Sequence, residues 1–152
     1  RENADDDDHD HHFDEREGGA GLLAQSGNAA RIHHVGYTDE PERYIAIADV
    51  LCLPSYREGF GTVVIEAASM GVPAIGTDIY GLSDAIVDGE TGLLVPVRNA
   101  DALAQAITRL LREPDALAAM GQAARARCEE KFDARVVSEQ VADEYRRLLA
   151  AR

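Results

Sequence analysis

Between Val50 and Pro96 short apolar runs alternate with glycine- or proline-marked turns and helix-like segments. Val50-Leu51-Cys52-Leu53 is continuously apolar and is stopped by Pro54-Ser55, the profile of a buried strand in a parallel sheet. A Gly-rich turn follows, then a predicted helix from about Thr62 to Met70, ended by Gly71. Pro73-Ala74-Ile75-Gly76-Thr77 is the next predicted strand, Leu82 to Val87 a short helix, and Gly92-Leu93-Leu94-Val95 a last short strand stopped by Pro96. This alternation leaves few folds open. It predicts an α/β chain, a Rossmann-like parallel sheet flanked by helices on both faces. Sheets of that kind take ligands at the carboxyl ends of their strands, so the informative loops follow Val35, Leu53, Thr77 and Val95.

On either side of this core the pattern continues. Ile32-His33-His34-Val35-Gly36 reads as a short strand closed by glycine, and Glu40 to Ala48 as a helix with Pro41 in its first turn. Downstream of Asp101 the chain reads as helical to its end. Leu103, Ile107, Leu110 and Leu111 recur at helix spacing up to Arg112. Pro114 opens a second helix to about Lys131. Asp133 caps a third through Val136, Val137, Val141, Tyr145, Leu148 and Leu149. That last helix also carries Arg135, Arg146, Arg147 and Arg152, but Glu139, Asp143 and Glu144 dilute its positive face, which favours packing over contact with a membrane surface.

A length of 152 residues, 45% of them hydrophobic, suits one domain with a real core and excludes wholesale disorder. The net charge of -13 argues against nucleic acid as a partner. Residues 1–17 hold nine acids against two arginines, so the charge is concentrated at the start. Residues 1–20 form an acidic low-complexity segment, expected to be disordered or loop, and 21–152 the folded lobe. His9, His11 and His12 fit no standard metal spacing, and no metal site is expected. Cys52 and Cys128 read as reduced packing residues. No apolar stretch is long enough to span a membrane and no signal peptide is visible, so the expected location is cytoplasmic, with the inner face of the membrane left open. A first residue Arg1 rather than Met is expected of a fragment.

The chemistry concentrates in Pro54-Ser55-Tyr56-Arg57-Glu58-Gly59-Phe60-Gly61-Thr62-Val63-Val64-Ile65-Glu66-Ala67. Gly59 and Gly61 let backbone approach a ligand closely. They precede a helix whose free amides and dipole favour an anion such as a diphosphate. A carboxylate accepts paired hydrogen bonds from vicinal hydroxyls, so Glu66 suits a ribose while Glu58 faces a sugar beyond it. A plainer account stays open from the residues alone: Gly-x-Gly as a tight turn, Glu58 as a solvated loop acid, and Glu66 as an acid favoured by the helix dipole.

The stretch from Ala48 to Gly61 with Glu66-Ala67, then Gly71-Val72-Pro73-Ala74-Ile75-Gly76-Thr77-Asp78, and then Gly81-Leu82-Ser83-Asp84 through Gly92-Leu93-Leu94-Val95, resembles the signature of glycosyltransferase family 4. The resemblance spans about residues 31–150. It implies one lobe of a GT-B fold, the C-terminal lobe that binds a nucleotide-sugar donor, usually UDP- or GDP-linked, with the acceptor on the other lobe. It also implies transfer with retention of configuration and no metal cofactor. On that resemblance Glu58 is the catalytic-face residue contacting the donor sugar. Gly59, Phe60 and Gly61 offer amides to sugar or phosphate, Thr62 and Val63 lie by the phosphate and ribose, and Glu66 binds the ribose hydroxyls. Arg57 is a candidate phosphate contact. The flavour of Tyr56-Arg57-Glu58-Gly59 and Ile79-Tyr80-Gly81 is similar to bacterial transferases building polysaccharide, O-antigen or glycolipid, with a lipid-linked or glycan acceptor.

Two departures matter. The family's donor site also uses an Arg and a Lys early in the lobe, whereas residues 1–30 contain only Arg1 and Arg16 and the sole lysine is Lys131. The acceptor lobe has no counterpart in the chain either. The chain alone is therefore expected to be incomplete and inactive. The alternative is a non-catalytic Rossmann-like interaction module derived from such a transferase.

Overall fold

The structure, a computed structural model, describes residues 28–151. The acidic run at 1–20, with its three histidines and with Arg1 and Arg16, lies outside the described residues. The chain divides into two compact units, Arg1–Asp39 and Glu40–Arg152. In the first, residues Ala29–Arg31 make one 3-10 turn, closed by Arg31 N–H donating to Asn28 O at 2.8 Å. The strand expected at Ile32–Gly36 is not formed. Ile32 and Val35 are three apart, so an extended chain would turn them to opposite faces, and both are exposed.

The second unit carries the sheet. Its strands are β1 (Leu51–Leu53), β2 (Ala74–Thr77) and β3 (Gly92–Val95), all parallel in the order β1-β2-β3. Leu51 lies opposite Ala74, and Thr77 opposite Val95. The helices are α1 (Pro41–Ile45), α2 (Thr62–Ser69), α3 (Leu82–Ala85), α4 (Ala100–Arg112), α5 (Pro114–Lys131) and α6 (Ala134–Ala150). The α/β sheet with flanking helices and a helical end is the architecture that the alternation dictates.

All four residues of β2 are buried, as a central parallel strand requires. Successive side chains leave a strand on opposite faces, and the core follows that period. Ala74 joins Val64 of α2 with Leu82 and Ala85 of α3 and the adjoining Ile86. Ile75 joins Leu93 and Val95 of β3, Leu110 of α4 and Met120 of α5. Thus α2 and α3 cover one face and α4 with the first half of α5 the other, while the second half of α5 packs against α2.

Two helices are shorter than expected. α1 stops at Ile45 rather than Ala48, because Ile45 is buried while Ile47, two positions on, points to solvent. α3 stops at Ala85 because Ile86 is extended and buried in the core, and the Val87 N–H is taken by Thr91 Oγ1 at 2.9 Å.

α5 sits close to the end of α2. A Cβ on Gly121 would lie 2.1 Å from the Gly71 carbonyl oxygen, so helix backbone and turn backbone touch. Beside that contact Ala68, Ala124 and Cys128 form a small-residue seam. Burial pushes the Cys128 thiol above its usual pKa, and its Sγ lies 3.6 Å from the Ile65 carbonyl. Cys128 is thus a packing residue. Cys52 is not, for it stands exposed on β1, the outer strand of the sheet among the described residues.

α6 has no buried residue. Asp133 caps it, its Oδ1 accepting from Arg135 N–H at 2.9 Å, and pairs such as Arg147–Glu144 run along its surface. Among the described residues no helix is long and apolar enough to cross a membrane.

Candidate functional site

The loop leaving the carboxyl end of β1 is pinned from two sides. From the sheet, the Thr77 hydroxyl at the end of β2 donates to the Ser55 carbonyl. The Ser55 hydroxyl in turn donates to Glu58 Oε1 at 2.7 Å. The relay passes through Ser55, whose carbonyl is held by the central strand and whose own hydroxyl orients the half-buried carboxylate of Glu58.

From the other side α3 meets the same loop. Gly81 has φ +91°, and a Cβ there would stand 2.7 Å from the carbonyl oxygens of both Glu58 and Gly59. Gly61 has φ +65°, and a Cβ there would stand 2.6 Å from Leu82 Cδ2. At Gly81 the turn and the start of α3 are thus interlocked at backbone distance, and glycine is required there both by conformation and by space; at Gly61 conformation requires it, and the neighbour is the end of the Leu82 side chain.

Gly59 differs. Its φ lies outside the left-handed region, and an added Cβ would meet nothing within 4 Å. Among the glycines of the described residues it alone has neither reason to be glycine. It is exposed, and so is the adjoining face of the turn.

Gly61 caps α2 without offering a side-chain oxygen, so the first amides of that helix, at Thr62 and Val63, keep the positive end of the helix open. Val64, Ala67 and Ala68 are its buried face. Thr62 and Glu66, four apart, share the outward face, and both are exposed. The Glu66 carboxylate has no partner among the described residues. Val63 is half-buried between the two faces. Arg57 is exposed and likewise unpaired among the described residues.

A larger hollow, about 520 Å³, lies at the carboxyl ends of all three strands, lined among others by Tyr56, Thr77, Val95, Arg98 and Asn99. Neither Glu58, Glu66 nor the residues between them line it. Arg98 takes φ +57°, and its guanidinium lies 5.5 Å from the centre of the exposed Tyr56 ring, a cation-π contact. Asp78 is exposed beyond β2, Asp84 sits within α3, and His33 and His34 are exposed.

The sequence singles out the turn and the two acids, but not what holds them. Ser55 and Thr77 carry the relay, and no spacing rule links residues 22 apart. Gly81 had a readable signal, a glycine immediately before a short helix.

Residues 18–127 match the family model described as glycosyl transferases group 1. The chain is 34% identical over 128 residues to the capsular polysaccharide biosynthesis glycosyltransferase CapM of Staphylococcus aureus, covering 84% of this chain and 33% of CapM. Its fold superposes on the sucrose-phosphate synthase of Thermosynechococcus elongatus with a TM-score of 0.78 at 37% identity, covering 87% of this chain and 34% of that one. It also superposes on a mutant of TarM of S. aureus, solved with fondaparinux, alpha-GlcNAc-glycerol and UDP, with a TM-score of 0.78 at 26% identity, covering 84% and 26%. The chain spans about a third or less of the length of each.

Proposed function

The chain belongs to the glycosyl transferases group 1 family, with the Rossmann-like lobe of a GT-B fold, and we propose that it is the donor-binding half of a retaining transferase. Its donor is a nucleotide-sugar, UDP-linked by the likeness to TarM, which was solved with UDP. Its acceptor is a glycan or lipid-linked sugar in surface polysaccharide synthesis, by the likeness to CapM.

In this reading the diphosphate lies against the open end of α2, where the amides of Thr62 and Val63 and those of the turn Gly59-Phe60-Gly61 donate to its oxygens. Arg57, exposed on the same loop, adds a positive charge. Glu66, one helical turn along the same outward face as Thr62, accepts from the two ribose hydroxyls. Glu58, oriented by Ser55, accepts from hydroxyls of the transferred sugar near its reacting face. As the bond from the anomeric carbon to the phosphate oxygen breaks, the electron pair stays with the diphosphate, and the helix end stabilises that growing charge without a metal ion. The acceptor is held by a second half outside these 152 residues, so the chain by itself binds donor and does not turn it over. Nothing in the reading requires a membrane anchor; the site works in the cytoplasm or at the membrane's inner face.

The observation that carries the reading is Gly59. Glycine there serves neither the backbone nor the packing, but it keeps an exposed amide clear for a ligand at the mouth of α2. Calorimetric titration of UDP and UDP-glucose into the chain tests it. Binding that is lost in Glu66→Ala supports the site. A folded chain that binds neither compound returns the lobe to the reading as a non-catalytic interaction module.

A further inference from the structure

Phe60 is the one side chain between Gly59 and Gly61, so whatever holds its ring holds the middle of the turn. Phe132 holds it. The two ring centroids are 5.4 Å apart with an interplanar angle of 66°, an edge-to-face pair. Phe132 lies 72 residues downstream of Phe60, at the junction where α5 ends and α6 begins, and its N–H closes α5 on the Cys128 carbonyl at 2.9 Å.

The same ring reaches the turn by a second route. The Arg127 guanidinium lies 5.6 Å from the Phe132 ring centre. Arg127 Nη2 donates to the Asp84 carbonyl at 3.0 Å, while its buried Nε has no acceptor among the described residues. Contact with the ring therefore helps fix the guanidinium, because its hydrogen bonds alone do not. Asp84 belongs to α3, and the start of α3, at Gly81, is the surface on which the Glu58 and Gly59 carbonyls rest.

We propose that Phe132 is a positioning residue for the donor turn: through Phe60 directly, and through Arg127 and α3 indirectly, it sets where the Glu58–Gly61 amides and the Glu58 carboxylate stand. Phe132 touches no ligand. The inference rests on the donor-site reading above and deepens it, adding a control point at the α5–α6 junction. An edge-to-face pair is of a size that shifts an equilibrium by about three- to tenfold, and the effect falls on the ligand whose binding needs the turn in place.

The test is a double-mutant cycle read on affinity, well below the melting temperature of every variant. UDP-glucose is titrated into the 152-residue chain as wild type, Phe132→Ala, Phe60→Ala and the double variant, with Phe132→Tyr and Phe132→Leu alongside. The expected result is about three- to tenfold weaker binding in Phe132→Ala, retention in Phe132→Tyr, which keeps the ring, and a double variant weaker than Phe60→Ala by less than the full Phe132→Ala loss, the remainder running through Arg127. Should Phe132→Ala fail to fold, Phe132→Leu, which keeps apolar bulk without a ring edge, carries the comparison with Phe132→Tyr. Unchanged affinity in Phe132→Ala, or losses that simply add in the double variant, overturns the inference while the donor site stands. No binding by the folded wild type overturns the donor-site reading, and this inference with it.

Discussion

The turn at Glu58–Gly61 and the final helix α6 are held in opposite ways. The turn is only four residues long and partly exposed, yet it is fixed by a hydroxyl relay from β2 and by backbone contact with α3. α6 runs for 17 residues and buries none of them; a capping aspartate and surface ion pairs between neighbours one turn apart define it. Length and regularity are therefore poor guides to rigidity here. A short loop packed by backbone resists change, whereas a long helix held by its own surface tolerates it.

The largest break expected is in the turn. Gly81→Ala forces a side chain into a left-handed position and against two carbonyls, so unfolding should be easier by about 3 kcal/mol, read by chemical denaturation. A wild-type midpoint would deny that the turn and α3 are interlocked. Gly59→Ala sharpens the contrast within the same four residues. Its melting temperature should hold, with stability changed by at most about 1 kcal/mol, while affinity for UDP-glucose falls by about tenfold or more, roughly 1.4 kcal/mol. A Gly59→Ala chain that binds like wild type would remove the main support for the donor site.

In α6 the expected effects are small. Val141→Ser, at a half-exposed position, should shift stability by about 0.5 kcal/mol or less by the same denaturation measurement, and a larger loss would show that this helix is packed after all. The smallest effect is on acidification. The side chain of Arg135, and then its backbone N–H, hold the Asp133 carboxyl below its usual pKa. A depressed carboxylate contributes stability that is present above the unfolded-state value and is lost as pH falls through the folded one. Amide exchange in the first turn of α6 should rise over that acid interval, and in Asp133→Asn it should not follow the same titration.

The sheet and most helices were legible because their signals are local. The apolar run at 50–53, the strand at 92–95 and the helix opened by Pro114 are each decided within a few residues, and β2 and α5 lie within a residue of where the pattern puts them. The expected strand at 32–36 failed because an apolar pair three apart does not make a strand face. In the site, Glu58, the glycines and Glu66 were legible as a spacing. What orients them was not: Thr77 reaches Ser55 across 22 residues, and Phe132 reaches Phe60 across 72. Sequence periodicity carries no information about such long-range partners. It also could not separate Gly59 from Gly61, which look alike as letters and differ entirely in what surrounds them.

The seat of Gly121 on the Gly71 carbonyl has its own consequence. The depth of α5 over α2 is fixed by two main chains in touch, like a bolt driven to its shoulder, rather than by the bulk of the side chains between them. Ala68 and Ala124 occupy the space left over. An enlarged residue there has no slack to use and must lift the two main chains out of contact, so the tolerance of this seam to change is set by a residue that contributes no side chain to it.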